Sequence, residues 1–264
     1  MSHIITVPAF SDNYIWLICD QNKKMAAIVD PGDANVVLDA LEKNGIQPAA
    51  LLITHFHHDH VGGIAGLLDK YPDLPVYGPA TENIPHMTHP LNGDELLKLE
   101  NLETQFQVMN VPGHTAGHIA YFVDNKDSVP QLFCGDTLFA AGCGRVFNGT
   151  LEELHHSLQA IKQLPTDTLI YCAHEYTLDN LGFAKWVEPD SGAISTREEA
   201  AMDLLDNDQP TVPSTLALEL ETNPFLRTDL PHIKQRVSEV TGKQLTDLGD
   251  VFAAMRTWKD TEYD

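Results

Sequence analysis

Basic residues are scarce in this chain, with 16 lysines and arginines against 38 aspartates and glutamates and a formal charge of −22. Nucleic acid and anionic membrane surfaces both need a cationic footprint, so neither is expected as a partner. Arginine is scarcer still, Arg145 being the only one before Arg197. Cysteine is sparse as well. Cys19, Cys134, Cys143 and Cys172 lie scattered without paired spacing, which points to free thiols and a cytoplasmic protein. Long apolar runs are missing. The longest, residues 14–19, is far short of a membrane span, and the N-terminus has neither a basic start nor an apolar segment. No internal repeat or low-complexity tract is visible.

What is present suffices for a sizeable core: 264 residues, 43% of them hydrophobic, enough for one large domain or one domain with an appendage. Strands are expected at residues 4–7, 14–19 and 25–29, the last ending in the turn Asp30-Pro31-Gly32-Asp33. Val36, Val37, Ala40 and Leu41 recur at helical spacing, and the apolar run 49–53 reads as the next strand. Further strands are expected at 106–111, 121–123, 132–134 and 168–172, with a helix near 151–162. Beyond residue 176 the strand signal fades. Residues 195–205, 231–240 and 245–255 look helical, with Ser195 and Thr196 as an N-terminal cap. The pattern predicts an α/β (α+β) domain over 1–175 and a helical domain over 176–264.

The most informative stretch is Thr54-His55-Phe56-His57-His58-Asp59-His60, directly after an apolar run. A strand emptying into nitrogen and oxygen donors reads as a metal site on a loop at a sheet edge. Residues at i and i+2 of an extended segment point the same way, so His55 and His57 can grip one ion. Asp59 and His60 follow at an offset that suits a second. A merely solvated histidine-rich loop is the competing account, and such loops seldom place a carboxylate among imidazoles.

Three more loops carry donors one to three residues past an apolar segment: Gly113-His114-Thr115-Ala116-Gly117-His118, Gly135-Asp136-Thr137 and Ala173-His174-Glu175. Each is weak alone, since a single histidine after a strand is usually a structural hydrogen-bonding residue. Four at corresponding positions point to a binuclear metal site.

These loops resemble the signature of the metallo-β-lactamase superfamily, His-x-His-x-Asp-His followed by separate His, Asp and His ligands. More closely, the chain is similar to the hydroxyacylglutathione hydrolases, or glyoxalase II. The resemblance runs from Val7-Pro8-Ala9-Phe10 to Met255-Arg256 and includes Val29-Asp30-Pro31-Gly32-Asp33, Gly142-Cys143-Gly144-Arg145 and Cys172-Ala173-His174-Glu175-Tyr176-Thr177. It implies a four-layered αββα sandwich followed by a helical domain that helps bind glutathione. It assigns His55, His57 and His114 to one ion and Asp59, His60 and His174 to the other, with Asp136 bridging both. The implied activity is hydrolysis of S-2-hydroxyacylglutathione thioesters, S-D-lactoylglutathione to glutathione and D-lactate, in methylglyoxal detoxification. A hydroxide shared by the two ions would attack the thioester carbonyl, with Asp59 a candidate proton acceptor. A thiol leaving group needs no dedicated strong acid. The donor set suits zinc first, and iron or manganese as well.

The resemblance also places Arg145, Tyr176, Arg256 and Lys259 at the glutathione site. Without it, Arg256 and Lys259 at i and i+3 would read as a solvated helix face. Phe147 stands where some family members carry tyrosine, and residues 188–221 contain a single basic residue, Arg197. Other histidines take plainer readings: His58 points away from the metals, His118 is a neighbouring hydrogen bonder, His86, His89, His155 and His156 are surface residues, and residues 260–264 form a solvated tail. Asp30 is balanced between turn stabilisation and support of the ligand loop. The chain is expected to act as a monomer. Alternatives are a mono-iron persulfide dioxygenase-like enzyme, an RNA-processing nuclease of the same superfamily, which the anionic balance disfavours, and a non-catalytic metal-binding scaffold, for which ligands should be missing.

Overall fold

A computed structural model describes residues 3–124 and 128–263. Its strands are β1 (His3–Ala9), β2 (Asn13–Cys19), β3 (Met25–Val29), β4 (Gln47–Leu52), β5 (Val76–Pro79), β6 (His89–Leu91), β7 (Leu96–Leu99), β8 (Thr104–Asn110), β9 (Ile119–Val123), β10 (Gln131–Gly135), β11 (Leu138–Phe139), β12 (Gly142–Cys143), β13 (Leu169–Cys172) and β14 (Ser214–Thr215). Its helices are α1 (Ala34–Asn44), α2 (His58–Val61), α3 (Ile64–Lys70), α4 (Leu151–Ile161), α5 (Thr177–Val187), α6 (Gly192–Asp206), α7 (Leu216–Thr222), α8 (Pro231–Thr241) and α9 (Leu248–Trp258). Two compact units make up the chain, residues 1–110 with 117–135, and residues 111–116 with 136–264.

The first sheet runs β1-β2-β3-β4-β5-β6. It is antiparallel through β1-β2-β3 and parallel from β3 onward, with Val29 beside Leu52. Parallel β3 and β4 need a crossover, which α1 supplies. Asp33 caps α1 by accepting from the Asn35 amide, and Gly45 closes it in the left-handed conformation. Ile15, Leu17 and Cys19 pack with Val37 and Leu41 of α1 and Ile64 and Leu67 of α3. The alternate residues Tyr14, Trp16 and Ile18 are buried too, so this strand is covered on both faces.

The second sheet runs β14-β13-β10-β9-β8-β7. Every residue of β9 and β10 is buried, so the middle of this sheet is likewise covered on both faces, as an αββα sandwich requires, while β7 and β8 at its edge alternate buried and exposed. The Tyr121 hydroxyl donates to the Ile53 carbonyl at 2.8 Å, tying β9 to the end of β4. Beyond residue 176 the chain is dominated by helices, including α5 and α7, which the sequence pattern did not reveal. The cap of α6 is Ser191, not Ser195 or Thr196, because the helix starts earlier at Gly192.

Strand direction positions the chemistry. Parallel β3 and β4 leave the first sheet at the same edge, delivering Asp30 and Thr54-His55 side by side. β8 and β10 flank antiparallel β9, so they too share a direction and end at Asn110 and Gly135. No helix among the described residues is long and apolar enough to cross a membrane.

Candidate metal centre

The loop after β4 is held by Asp30, at the end of β3. Its Oδ1 accepts from the Thr54 amide at 2.8 Å, and its Oδ2 from the Thr54 hydroxyl at 2.7 Å. The same Oδ2 accepts from His60 Nδ1 at 3.0 Å. Thr54 has spent its hydroxyl proton on Asp30, so its oxygen must accept from His55 Nδ1 at 3.1 Å. Both tautomers are thereby fixed, leaving the Nε2 lone pairs of His55 and His60 for a ligand. His55 Nε2 then faces His57 Nδ1 at 3.0 Å. Two nitrogens directed at each other need a shared proton or a shared cation. Asp59 Oδ2 lies 3.3 Å from His60 Nε2 and accepts from Asn13 Nδ2 at 2.9 Å.

A second set of donors follows β8, β10 and β13. His114 Nδ1 lies 2.8 Å from the Arg145 carbonyl. A carbonyl only accepts, so this ring too has its lone pair on Nε2. That Nε2 is 3.3 Å from Asp136 Oδ2, and His174 Nε2 is 3.5 Å from Asp136 Oδ1. One carboxylate thus presents a separate oxygen to each of two histidines. Gly113 precedes His114 at φ +139°, and a Cβ there would stand 2.3 Å from the Leu154 Cα, so only glycine permits this approach.

Ligand-type atoms of His55, His57, His114 and Asp136 lie within 4.8 Å of one another, and those of Asp59, His60 and His174 do likewise. The seven residues named from the sequence are the members of these two groups, Asp136 standing with the first. Two donors about 2.1 Å from one tetrahedral ion stand roughly 3.4 Å apart, close to the 3.0–3.5 Å spacings here. The residues fit two cations. No cysteine joins either group. Burial, which outweighs the nearby Arg256, pushes the Cys143 thiol up to about 11, and burial pushes Cys172 up to about 12.

Sequence reasoning missed Thr54 and Asn13 as supports. Neither carries a local signal, since their partners lie 24 and 46 positions away. Asp30 proves to support the ligand loop. His118 is buried and stacks on His55 with centroids 4.6 Å apart, a neighbour outside both ligand groups. His58, His86 and His89 are exposed as expected, whereas His155 is buried in the face of α4 against Phe252.

The four residues expected at the glutathione end occupy different environments. Tyr176 is exposed on one side and stacks on His174, 4.8 Å between centroids and nearly parallel. Phe147 is exposed and meets His114 edge-on. The Arg145 side chain is 56% exposed, with Nε 3.8 Å from Asp260 Oδ1. Arg256 is only 1% exposed and Lys259 only 4%. Their charges meet Asp260 at 2.9 Å and Asp179 at 3.1 Å. Asp260 is therefore part of an ion-paired helical segment, Lys259–Tyr263, not a solvated tail, while Asp264 lies outside the described residues.

The metallo-beta-lactamase superfamily model matches residues 10–174, and the hydroxyacylglutathione hydrolase C-terminus model matches residues 175–262. The hydroxyacylglutathione hydrolase of Nitrosomonas eutropha is 49% identical over 98% of this chain and 99% of its own length. Among solved structures, a B3 metallo-beta-lactamase superposes with TM-score 0.62 and 23% identity, over 85% of this chain and 99% of its own. A protein solved in a di-iron-bound form superposes with TM-score 0.58 and 26% identity, over 84% and 99%.

Proposed function

The chain belongs to the hydroxyacylglutathione hydrolases of the metallo-beta-lactamase superfamily, and from that premise we propose how its residues serve the reaction. It is a metal-dependent hydrolase of glutathione thioesters, with the αββα fold and two metal ions. In our reading His55, His57 and His114 hold one ion, Asp59, His60 and His174 the other, and Asp136 spans them. The observation that carries this is the two-sided placement of Asp136, one oxygen toward His114 and one toward His174. Zinc is our choice of metal because the donors are imidazoles and carboxylates in compact sets, with iron, as in the di-iron neighbour, the runner-up.

Two divalent ions held by these residues would supply Lewis acidity, lowering the pKa of water toward neutrality and polarising a carbonyl. The chain's residues do the rest. Asp30, Thr54 and the Arg145 carbonyl hold three imidazoles in the tautomer that ligates. Asp59, oriented by Asn13, takes up the proton released from water. Arg145, Tyr176, Arg256 and Lys259 hold the glutathione end. Its carboxylates are remote from the thioester and keep their charge through the reaction, so these contacts act on KM more than on kcat. We read residues 1–175 as catalytic and 176–264 as the glutathione-binding region, supported by family matches that meet between 174 and 175. We further take the protein as a cytoplasmic monomer, since its cysteines are free and one chain supplies every donor.

The test is metal content with hydrolysis of S-D-lactoylglutathione. We expect close to two ions per chain, and Asp136→Ala should lose both along with activity. One ion per chain, with Asp59 and His174 replaceable at no cost, would sink this reading in favour of a mono-iron oxygenase.

A further inference from the structure

Arg256 is built into the fold more deeply than a carboxylate-binding cation needs to be. Its guanidinium lies over the Phe225 ring, 5.1 Å from the centroid. Nη2 donates to Asp260 Oδ1, and Nη1 donates to the Cys143 carbonyl at 3.1 Å. Cys143 ends β12 and opens the strap Cys143-Gly144-Arg145. The Gly144 amide donates to the Thr137 carbonyl at 3.2 Å. A Cβ on Gly144 would stand 2.0 Å from the Asp136 carbonyl oxygen and 3.1 Å from His114 Nδ1, so the strap lies directly against both ligand residues. At its far end the Arg145 carbonyl accepts the proton that fixes the His114 tautomer.

We propose that Arg256 is a positioning residue for the metal centre, anchoring through the Cys143 carbonyl the strap whose Arg145 carbonyl orients His114. The geometry is a relay of three contacts: guanidinium to Cys143 oxygen, strap to Asp136 backbone, Arg145 oxygen to His114. A guanidinium suits the task because it is always charged, its fork can bond the carbonyl and Asp260 together, and its plane stacks on Phe225. An exposed anchor would be loosened by water. This one is buried, where a charge-assisted hydrogen bond is stronger. The inference rests on the two-metal reading, and adds to the substrate role given to Arg256 a role in the protein without substrate.

Zinc retention tests it. Full-length wild type, Arg256→Lys and Arg256→Met would be loaded with zinc alone, bound zinc counted by elemental analysis, and release followed with a chromogenic chelator. Ile233→Ala, which truncates a buried side chain of α8, calibrates for lost stability. We expect Arg256→Met to release one of its two ions about tenfold faster or more, the scale on which support of a ligating histidine acts. Arg256→Lys should fall between it and wild type, because an ammonium can still reach one carbonyl. If Arg256→Met does not fold, Arg256→Lys alone must still release one ion faster than wild type. Wild-type release in both variants, with only the KM for S-D-lactoylglutathione raised, would overturn the inference and leave Arg256 to the substrate. Equal acceleration by Ile233→Ala at matched melting temperature would overturn it too. A wild type that binds no zinc would bring down the metal-centre reading itself.

Discussion

At the scale of single residues, the centre depends on Asp30 as much as on any ligand. This aspartate sits at φ +51°, a conformation few residues other than glycine, asparagine and aspartate tolerate. One buried carboxylate accepts the Thr54 amide, the Thr54 hydroxyl and His60 Nδ1. Asp30→Asn keeps the backbone preference but offers one oxygen and two unwanted donors. It should cost about 1–3 kcal/mol of stability through the groups it leaves unsatisfied. It should also weaken metal binding roughly 10–100-fold, because His60 and His55 lose their orientation. Thermal melts and zinc titration of the variant measure both, and unchanged zinc affinity would show that the relay is only turn structure. The donors gathered in the two groups were legible in the sequence because each follows an apolar strand, a local pattern. For Asp30 the sequence left support of the ligand loop and turn stabilisation balanced, since its partners lie 24 and 30 positions along the chain and meet it through parallel pairing of β3 with β4.

At the scale of elements, what the sequence hid follows from the same limit. β5 and β6 each contain a proline, Pro79 and Pro90, which argues against a strand until a sheet neighbour is known. α5 contains Asn180 and Gly182, poor helix formers that burial overrides. His155 reads as a surface residue from its polarity, yet α4 turns Leu154, His155, Leu158 and Ile161 inward together. Burial lowers the pKa of His155, helped by His156 and Lys162 and opposed by Asp247. The folded chain therefore holds this imidazole neutral at a pH where the unfolded chain, near 6.5, already takes a proton. Stability linked to His155 is full above the unfolded value and declines as pH falls through 6.5 toward the lower folded value. His155→Phe, which keeps an aromatic ring against Phe252, should flatten that decline. Melting temperatures of both proteins from about pH 7.5 to about pH 5.5 check this, and identical slopes would refute it.

At the scale of the whole molecule, the excess of acid becomes a statement about encounter with substrate. Composition alone leaves room for a strongly cationic pocket inside an anionic protein. The structure instead sets several of its cations against carboxylates: Arg145 and Arg256 meet Asp260, Lys259 meets Asp179, Arg197 meets Glu219, Arg227 meets Glu188 and Lys162 meets Asp229. With these charges compensated at short range, the long-range field is that of a strongly acidic whole, −22 for the chain before its metal ions are counted. S-D-lactoylglutathione carries two carboxylates and one ammonium, so it approaches against that field. Raising ionic strength from about 0.01 M to about 0.15 M shortens the screening length from roughly 30 Å to about 8 Å. Repulsion on approach is then largely removed, while the contacts of bound substrate are screened far less. We expect kcat/KM for S-D-lactoylglutathione to rise severalfold across that range. A small uncharged thioester hydrolysed at the same ions should be indifferent, because it feels no long-range field. Initial rates with both substrates at matched pH decide the matter. A kcat/KM that falls with salt would mean that the exposed Arg145, acting as a local attractor, outweighs the charge of the whole protein.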